Sequence, residues 1–293
     1  MKKEMNYEIK NEFIKAKIKS FGAELNSLQK IDEDLEYIWQ GDSKYWNRHS
    51  PILFPIVGRL KEDSYTYQNQ KYNMTQHGFA RDKEFEVIKN EADFIEFRLK
   101  SDEKTLEIYP FSFELYLSYK LEKNSLIVSY KVINKSDDKM LFSIGAHPAF
   151  NWTLKEDEKK EDYFLEFENI KETKRYFLND KGLVYKHEDL KIIDNKIALN
   201  EELFKNDALV FNDSNIKILT LKNSNNKNFV KLEFKNFPYL GIWSKPSGAP
   251  FVCIEPWFGV ADENSSNQNF EDKKGLISLE KNEIFSCFYS IEV

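Results

Sequence analysis

Phe111-Ser112-Phe113-Glu114-Leu115-Tyr116-Leu117-Ser118-Tyr119-Lys120-Leu121 and, shortly after it, Leu126-Ile127-Val128-Ser129-Tyr130-Lys131-Val132 decide the fold class. In both runs an apolar or aromatic residue stands at every second position, the period of a strand that buries one face. The polar Lys123-Asn124-Ser125 between them predicts a tight connection, so the pair reads as a β-hairpin. The same period recurs outward in both directions. Ile14, Ala16 and Ile18 alternate with Lys15 and Lys17. Further strands are predicted over 85–87, 94–99, 163–167, 216–221, 229–234, 239–243, 251–254, 277–279 and 284–293. Helical patterns are confined to 43–47 and 200–205, one or two turns each. Many strands with little helix between them predict an all-β fold, a large antiparallel β-sandwich, and exclude βαβ units. No internal repeat and no linker divides the chain, so residues 1–293 are expected to form a single domain.

Composition agrees with strands. The 293 residues are 41% hydrophobic and include 24 Phe, 15 Tyr and 5 Trp, whose rings favour pleated, half-buried surfaces. The net charge of −6 is spread over interspersed Lys, Asp and Glu. Nucleic-acid binding would want a basic face, so nucleic acid is not an expected partner. No apolar run approaches the roughly 20 residues of a membrane span. Met1 to Asn6 is charged and lacks the apolar centre of a secretion signal, so the expected location is cytoplasmic, with no membrane partner. Cys253 and Cys287 lie in apolar runs and read as buried thiols. Without a Cys-x-x-Cys spacing they make no zinc motif, and no cofactor or metal is expected.

A few polar residues stand where this pattern wants apolar ones. His147, in Gly145-Ala146-His147-Pro148-Ala149-Phe150, follows an apolar run, and Pro148 disfavours helix there, so His147 belongs at a strand end. It is either a core histidine bonded to backbone or a group facing ligand. Glu255, in Cys253-Ile254-Glu255-Pro256-Trp257, shares a strand face with Phe251 and Cys253. A carboxylate there is paired with a cation or faces a polar cavity. Pro256 and Trp257 predict that the strand ends at this point. Gln76-His77-Gly78-Phe79-Ala80-Arg81 adds a histidine and a cation in a Gly-containing turn, which is otherwise a solvated surface pair. The long connection from Arg48 to Gln76 presents Arg59, a structural cation or a hydroxyl donor. Asp207 either turns the chain before a strand or binds. Trp152, Trp243 and Trp257 are candidates for a stacking wall or for core. His49 and His187 carry no assigned role. Two imidazoles and a carboxylate suit acid–base work on a small polar substrate.

At these residues the chain resembles the aldose 1-epimerase (galactose mutarotase) family, in its LacX-like bacterial branch. The resemblance rests on Ser50-Pro51-Ile52-Leu53-Phe54-Pro55-Ile56-Val57-Gly58-Arg59-Leu60, on the segments around His77, His147 and Glu255 quoted above, and on Asp207-Ala208-Leu209-Val210-Phe211. They come in the family's order and span almost the whole chain. The resemblance implies a β-supersandwich and a cofactor-free isomerase. It makes Glu255 the base for the anomeric hydroxyl and His147 the acid for the ring oxygen. His77, Arg59 and Asp207 would hold the sugar. Galactose mutarotases usually carry Asn-x-x-Gly-x-Arg where this chain has Phe54-Pro55-Ile56-Val57-Gly58-Arg59, so the substrate-facing shell differs. The segment from His77 to Arg81 is also similar to that of hexose-6-phosphate epimerases, with Arg81 as a phosphate ligand assisted by Arg59 or Lys61. With a net charge of −6 and no arginine cluster around the motifs, a neutral aldohexose is expected ahead of its 6-phosphate. A non-catalytic carbohydrate-binding or sugar-sensing protein on the same scaffold is the alternative from another class. It would have no need of a base beside an acid.

Overall fold

The structure is a computed structural model that describes residues 5–33, 35–168, 170, 172–212, 215–246 and 248–293. The hairpin is formed by the strands Phe113–Glu122 and Ser125–Asn134, paired antiparallel with Leu121 opposite Leu126 and Phe113 opposite Asn134. Its alternation is realised as a buried row, Phe113, Leu115, Leu117, Tyr119 and Leu121, that faces Leu126, Val128, Tyr130 and Val132 on the neighbouring strand.

This hairpin sits inside a nine-stranded antiparallel sheet. Across the sheet run Lys196–Ala198, Tyr163–Phe167, Ile218–Asn223, Phe229–Glu233, Ile284–Glu292, Ser125–Asn134, Phe113–Glu122, Phe94–Lys100 and Glu86–Asn90. A second, eight-stranded sheet runs Val184–Lys191, Glu172–Leu178, Leu209–Asn212, Tyr239–Trp243, Phe251–Phe258, Ile144–Ala146 and Ile52–Leu53, with Ala149–Asn151 also pairing to Phe251–Phe258. Smaller sheets of two or three strands complete the fold. The principal core holds both the hairpin row and the even-numbered residues of the second sheet's central strands: Leu240, Ile242, Val252 and Ile254. The odd-numbered residues face the other way, into separate clusters around Trp257 and around Phe251 and Cys253.

The sandwich expected from the sequence is therefore observed, with local differences. Residues 43–47 make one hydrogen-bonded turn, in which Trp46 N–H donates to the Asp42 carbonyl, and no helix. Over 200–205 the chain forms the 3-10 turn Glu201–Phe204, capped by Asn200, whose Oδ1 accepts from Leu203 N–H at 3.1 Å. The strand expected to stop at Pro256 continues to Phe258. On one side its ladder with Tyr239–Trp243 carries on through Leu240 opposite Pro256. On the other side only 251–253 and 257–258 have register partners, so the missing N–H of Pro256 interrupts no ladder there. No helix among the described residues is long and apolar enough to cross a membrane.

Candidate active site

That gap in the ladder builds the site. Gly145 lies opposite Trp257 and Ala149 opposite Cys253, so one register spans the interruption and sets His147 opposite Glu255. On its other side Glu255 faces Gly241, which lies opposite Val210. Gly241 leaves room for the Trp257 indole: a Cβ there would sit 2.4 Å from the ring. The indole N–H donates to the Ala146 carbonyl at 3.1 Å, which fixes the floor beside Glu255.

A cavity of about 410 Å³ opens over this row. His77, Arg81, His147, Asp207 and Glu255, five of the six residues proposed from sequence, line it together. Trp46, Arg48, Gln76, Trp243 and Trp257 also contribute to its walls. The sixth, Arg59, stands outside the lining. Its guanidinium is held by Asp63 through two hydrogen bonds of 2.9 and 3.0 Å, and its stem packs beneath Gly182 at the rim. Lys61, offered as an assistant, donates through Nζ to the Ser266 carbonyl. Of the candidate tryptophans, Trp243 and Trp257 face the cavity, whereas Trp152 is core, its N–H bonded to the Lys160 carbonyl.

The acid–base candidates are close. His147 Nε2 lies 3.1 Å from Glu255 Oε2, and both side chains are buried. The two atoms are not aligned as a hydrogen bond, and Glu255 Oε2 has no hydrogen-bond partner, so each retains a lone pair or proton for a third atom. Burial pushes the Glu255 carboxyl well above its usual range, with the negative charge of Asp207 adding to the rise. Burial, then the positive charge of Arg81, pull His147 down to about 3. Trp46 stacks on the His147 ring, with centroids 4.9 Å apart, and holds it in place.

His77 is not the solvated loop residue that its surroundings in sequence allow; it is buried, at the edge of the His147 ring. Its backbone is in the left-handed region (φ +68), as is that of Gly78. A Cβ at Gly78 would meet the Phe54 carbonyl at 2.3 Å, so glycine is required for this close turn. Gly58 N–H donates to His77 Nδ1 at 3.1 Å. Burial, then the neighbouring His147, hold His77 well below its ordinary range. It is a neutral imidazole whose proton sits on Nε2, where the Gln76 side-chain amide lies 3.2 Å away at the cavity wall.

Two arginines, Arg48 and Arg81, meet at one wall of the cavity. Arg81 donates to the Gln76 carbonyl at 2.7 Å, and Arg48 donates to Asp82 at 2.8 Å. Both guanidinium groups are ion-paired with the same carboxylate, Asp82. Burial, then the charge of Arg48, bring Arg81 down to about 10. Arg48 and Gln76 are the two ends of the connection singled out for its length. Their position at its boundaries was the available signal. Trp46 gave none, because it sits in the turn read as a helix.

The family model for aldose 1-epimerase matches residues 5–271. The chain belongs to the aldose 1-epimerase family. It is 34% identical over 278 residues to the plasmid-encoded protein LacX of Lactococcus lactis subsp. lactis, covering 92% of this chain and 93% of that one. Among solved structures, a galactose mutarotase related enzyme from Lactobacillus acidophilus superposes with a TM-score of 0.94 at 38% identity, over 98% of this chain and 97% of that one. A galactose mutarotase-like protein from Lactobacillus casei gives 0.91 at 32% identity, over 98% and 99%. The aldose 1-epimerase family acts on sugars, which supports a small-molecule sugar as a partner of this chain.

Proposed function

We propose that this aldose 1-epimerase family member interconverts the α and β anomers of an aldohexose, with Glu255 as base and His147 as acid. The observation that carries the reading is the 3.1 Å approach of His147 to Glu255 in a buried cavity large enough for one sugar. The pair has one transferable proton. Before sugar binds, burial favours the uncharged state, with that proton on Glu255. Passing it to His147 makes a carboxylate and an imidazolium, whose mutual attraction offsets the cost of charging both. The carboxylate takes the proton of the hydroxyl on C1 while the imidazolium protonates the ring oxygen. The C1–O5 bond breaks, the open aldehyde rotates about C1–C2, and the ring recloses on the other face with the two roles exchanged. Positioned acid–base groups are each worth roughly 10²–10⁴-fold, enough for a reaction that already proceeds in water. Neutral His77 donates a hydrogen bond near the reacting centre, Asp207 holds a hydroxyl at the rim, and Trp243 offers a stacking face. Arg59 supports the wall under Gly182 and makes no contact with the sugar.

A second reading concerns the charge of the sugar. The shared approach of Arg48 and Arg81 to the cavity favours an anionic substituent such as a 6-phosphate, against the expectation drawn from net charge. Anomer exchange followed by polarimetry or NMR on fresh α-aldohexoses, free and 6-phosphorylated, tests both readings. Exchange no faster than in buffer with every sugar of the panel would discard the catalytic reading and leave a sugar-binding protein.

A further inference from the structure

The register that sets His147 opposite Glu255 also brings a thiol to the pair. Cys253 lies two residues from Glu255 on the same strand face, and its side chain is fully buried. One ligand atom from each of His147, Cys253 and Glu255 lies within 4.8 Å of the other two. We propose that these three residues form a site for a borderline-soft divalent cation, zinc being the best suited, and that its occupation silences the acid–base pair.

The donor set is one imidazole nitrogen, one sulfur and one carboxylate oxygen. That set favours zinc over magnesium or calcium, which prefer all-oxygen sites. A tetrahedral zinc with bonds of about 2.0–2.3 Å holds its ligand atoms roughly 3.3–3.6 Å apart. The His147–Glu255 edge, at 3.1 Å, already has nearly that length, and the sulfur, within 4.8 Å of both atoms, has to close by at most about 1.2 Å. The lone pair of Glu255 Oε2 is not spent on a hydrogen bond, which is the independent mark of a site able to accept a third atom. Three protein ligands leave a fourth position for water or a sugar hydroxyl, and two of them, His147 and Glu255, line the cavity. Binding displaces the carboxyl proton and the thiol proton, two per ion, and leaves the imidazole as a neutral ligand. Binding itself is independent of the catalytic reading; silencing rests on it.

The test uses the full chain freed of metal. Zinc is titrated in competition with a chromophoric chelator, and cobalt serves as the spectroscopic probe. The expected result is one ion per chain and a near-ultraviolet thiolate-to-cobalt charge-transfer band. Cys253→Ala should lose the band and weaken zinc binding by more than about tenfold, because one of three ligands is gone. Its metal-free mutarotation should be unchanged, since the sulfur moves no proton; Cys253→Ser keeps the volume and controls for packing. No stoichiometric zinc in the wild type, or equally tight zinc in Cys253→Ala, overturns the site. Mutarotation by fully zinc-loaded wild type overturns the silencing, while the cobalt band reports the site independently and metal-free Glu255→Gln tests the catalytic reading.

Discussion

The two large sheets are built from the same kinds of strand and do opposite things. In the nine-stranded sheet, Phe113–Glu122 buries every second residue and leaves the rest half-exposed or exposed, so its sequence alternates. In the eight-stranded sheet, Phe251–Phe258 is buried on both faces over seven consecutive residues. Its even-numbered side enters the shared core; its odd-numbered side, Cys253, Glu255 and Trp257, faces the cavity and its surroundings. One sheet is a support with a single dry face. The other spends its second face on a polar pair, at a cost in desolvation that the first sheet's core offsets. Substitutions should separate accordingly: chemistry is lost on one sheet and stability on the other.

The largest effect is expected at the pair. Glu255→Gln keeps size and hydrogen bonding but accepts no proton, and should lower kcat by about 10²–10⁴-fold with sugar binding retained. His147→Asn should do the same, and the double variant should lose little more, because in the proposed mechanism the two groups serve one concerted step. Polarimetric rates on the folded variants check this. Near wild-type exchange by Glu255→Gln would remove Glu255 from the mechanism.

On the supporting sheet, Leu117→Ala should leave kcat close to wild type and cost about 2–5 kcal/mol of stability, the range for deleting a fully buried leucine side chain. Denaturant unfolding beside the anomer assay separates the two. A large loss of kcat in the folded Leu117 variant would mean that the sheets are not divided in this way.

How much of this was legible follows from the same contrast. Alternation marks strands with one wet face, and Tyr163–Phe167 and Ile277–Leu279 coincide with their sequence-based bounds, as does Tyr239–Trp243, an apolar run buried over four of its five residues. The hairpin Glu172–Leu178 and Val184–Lys191 went unread because Lys174, Arg175, Lys186, Glu188 and Asp189 dilute its apolar residues. Glu255 and His147 stood out as polar residues in apolar runs, but only the register across the ladder gap shows that they meet. The arginine pair was illegible because Arg48 and Arg81 are far apart in sequence and converge on Asp82 through the fold.

That pair supplies an intermediate effect. If the sugar carries a 6-phosphate, Arg81→Ala should lower kcat/KM for it by roughly 10–100-fold, the worth of a charge-assisted hydrogen bond, and barely change the value for a neutral aldohexose. Equal losses on both sugars would make Arg81 a structural support for the turn at Gln76. Retention of both values would remove it from substrate recognition.

The smallest effect is a pH signature of the polar face itself. The unfolded chain releases the Glu255 proton near the usual 4.5, whereas the folded chain holds it to a much higher pH. Above 4.5 the unfolded state therefore binds fewer protons than the native state, and this group's contribution to stability declines as pH rises. Glu255→Gln has no such proton, so its melting temperature should climb relative to wild type above that pH and converge with it below. His147 has the opposite sign. Its ordinary value of 6.5 falls to about 3 on folding, so its contribution is present above 6.5 and lost as pH falls toward 3. His147→Asn should therefore gain on wild type only in acid. Calorimetric melting of the three proteins from acid to mildly alkaline pH would show two differences that grow in opposite directions. Differences that do not vary with pH would mean that neither group is held away from its ordinary protonation, and the distinction between a dry supporting sheet and one that buries a polar pair would lose its physical basis.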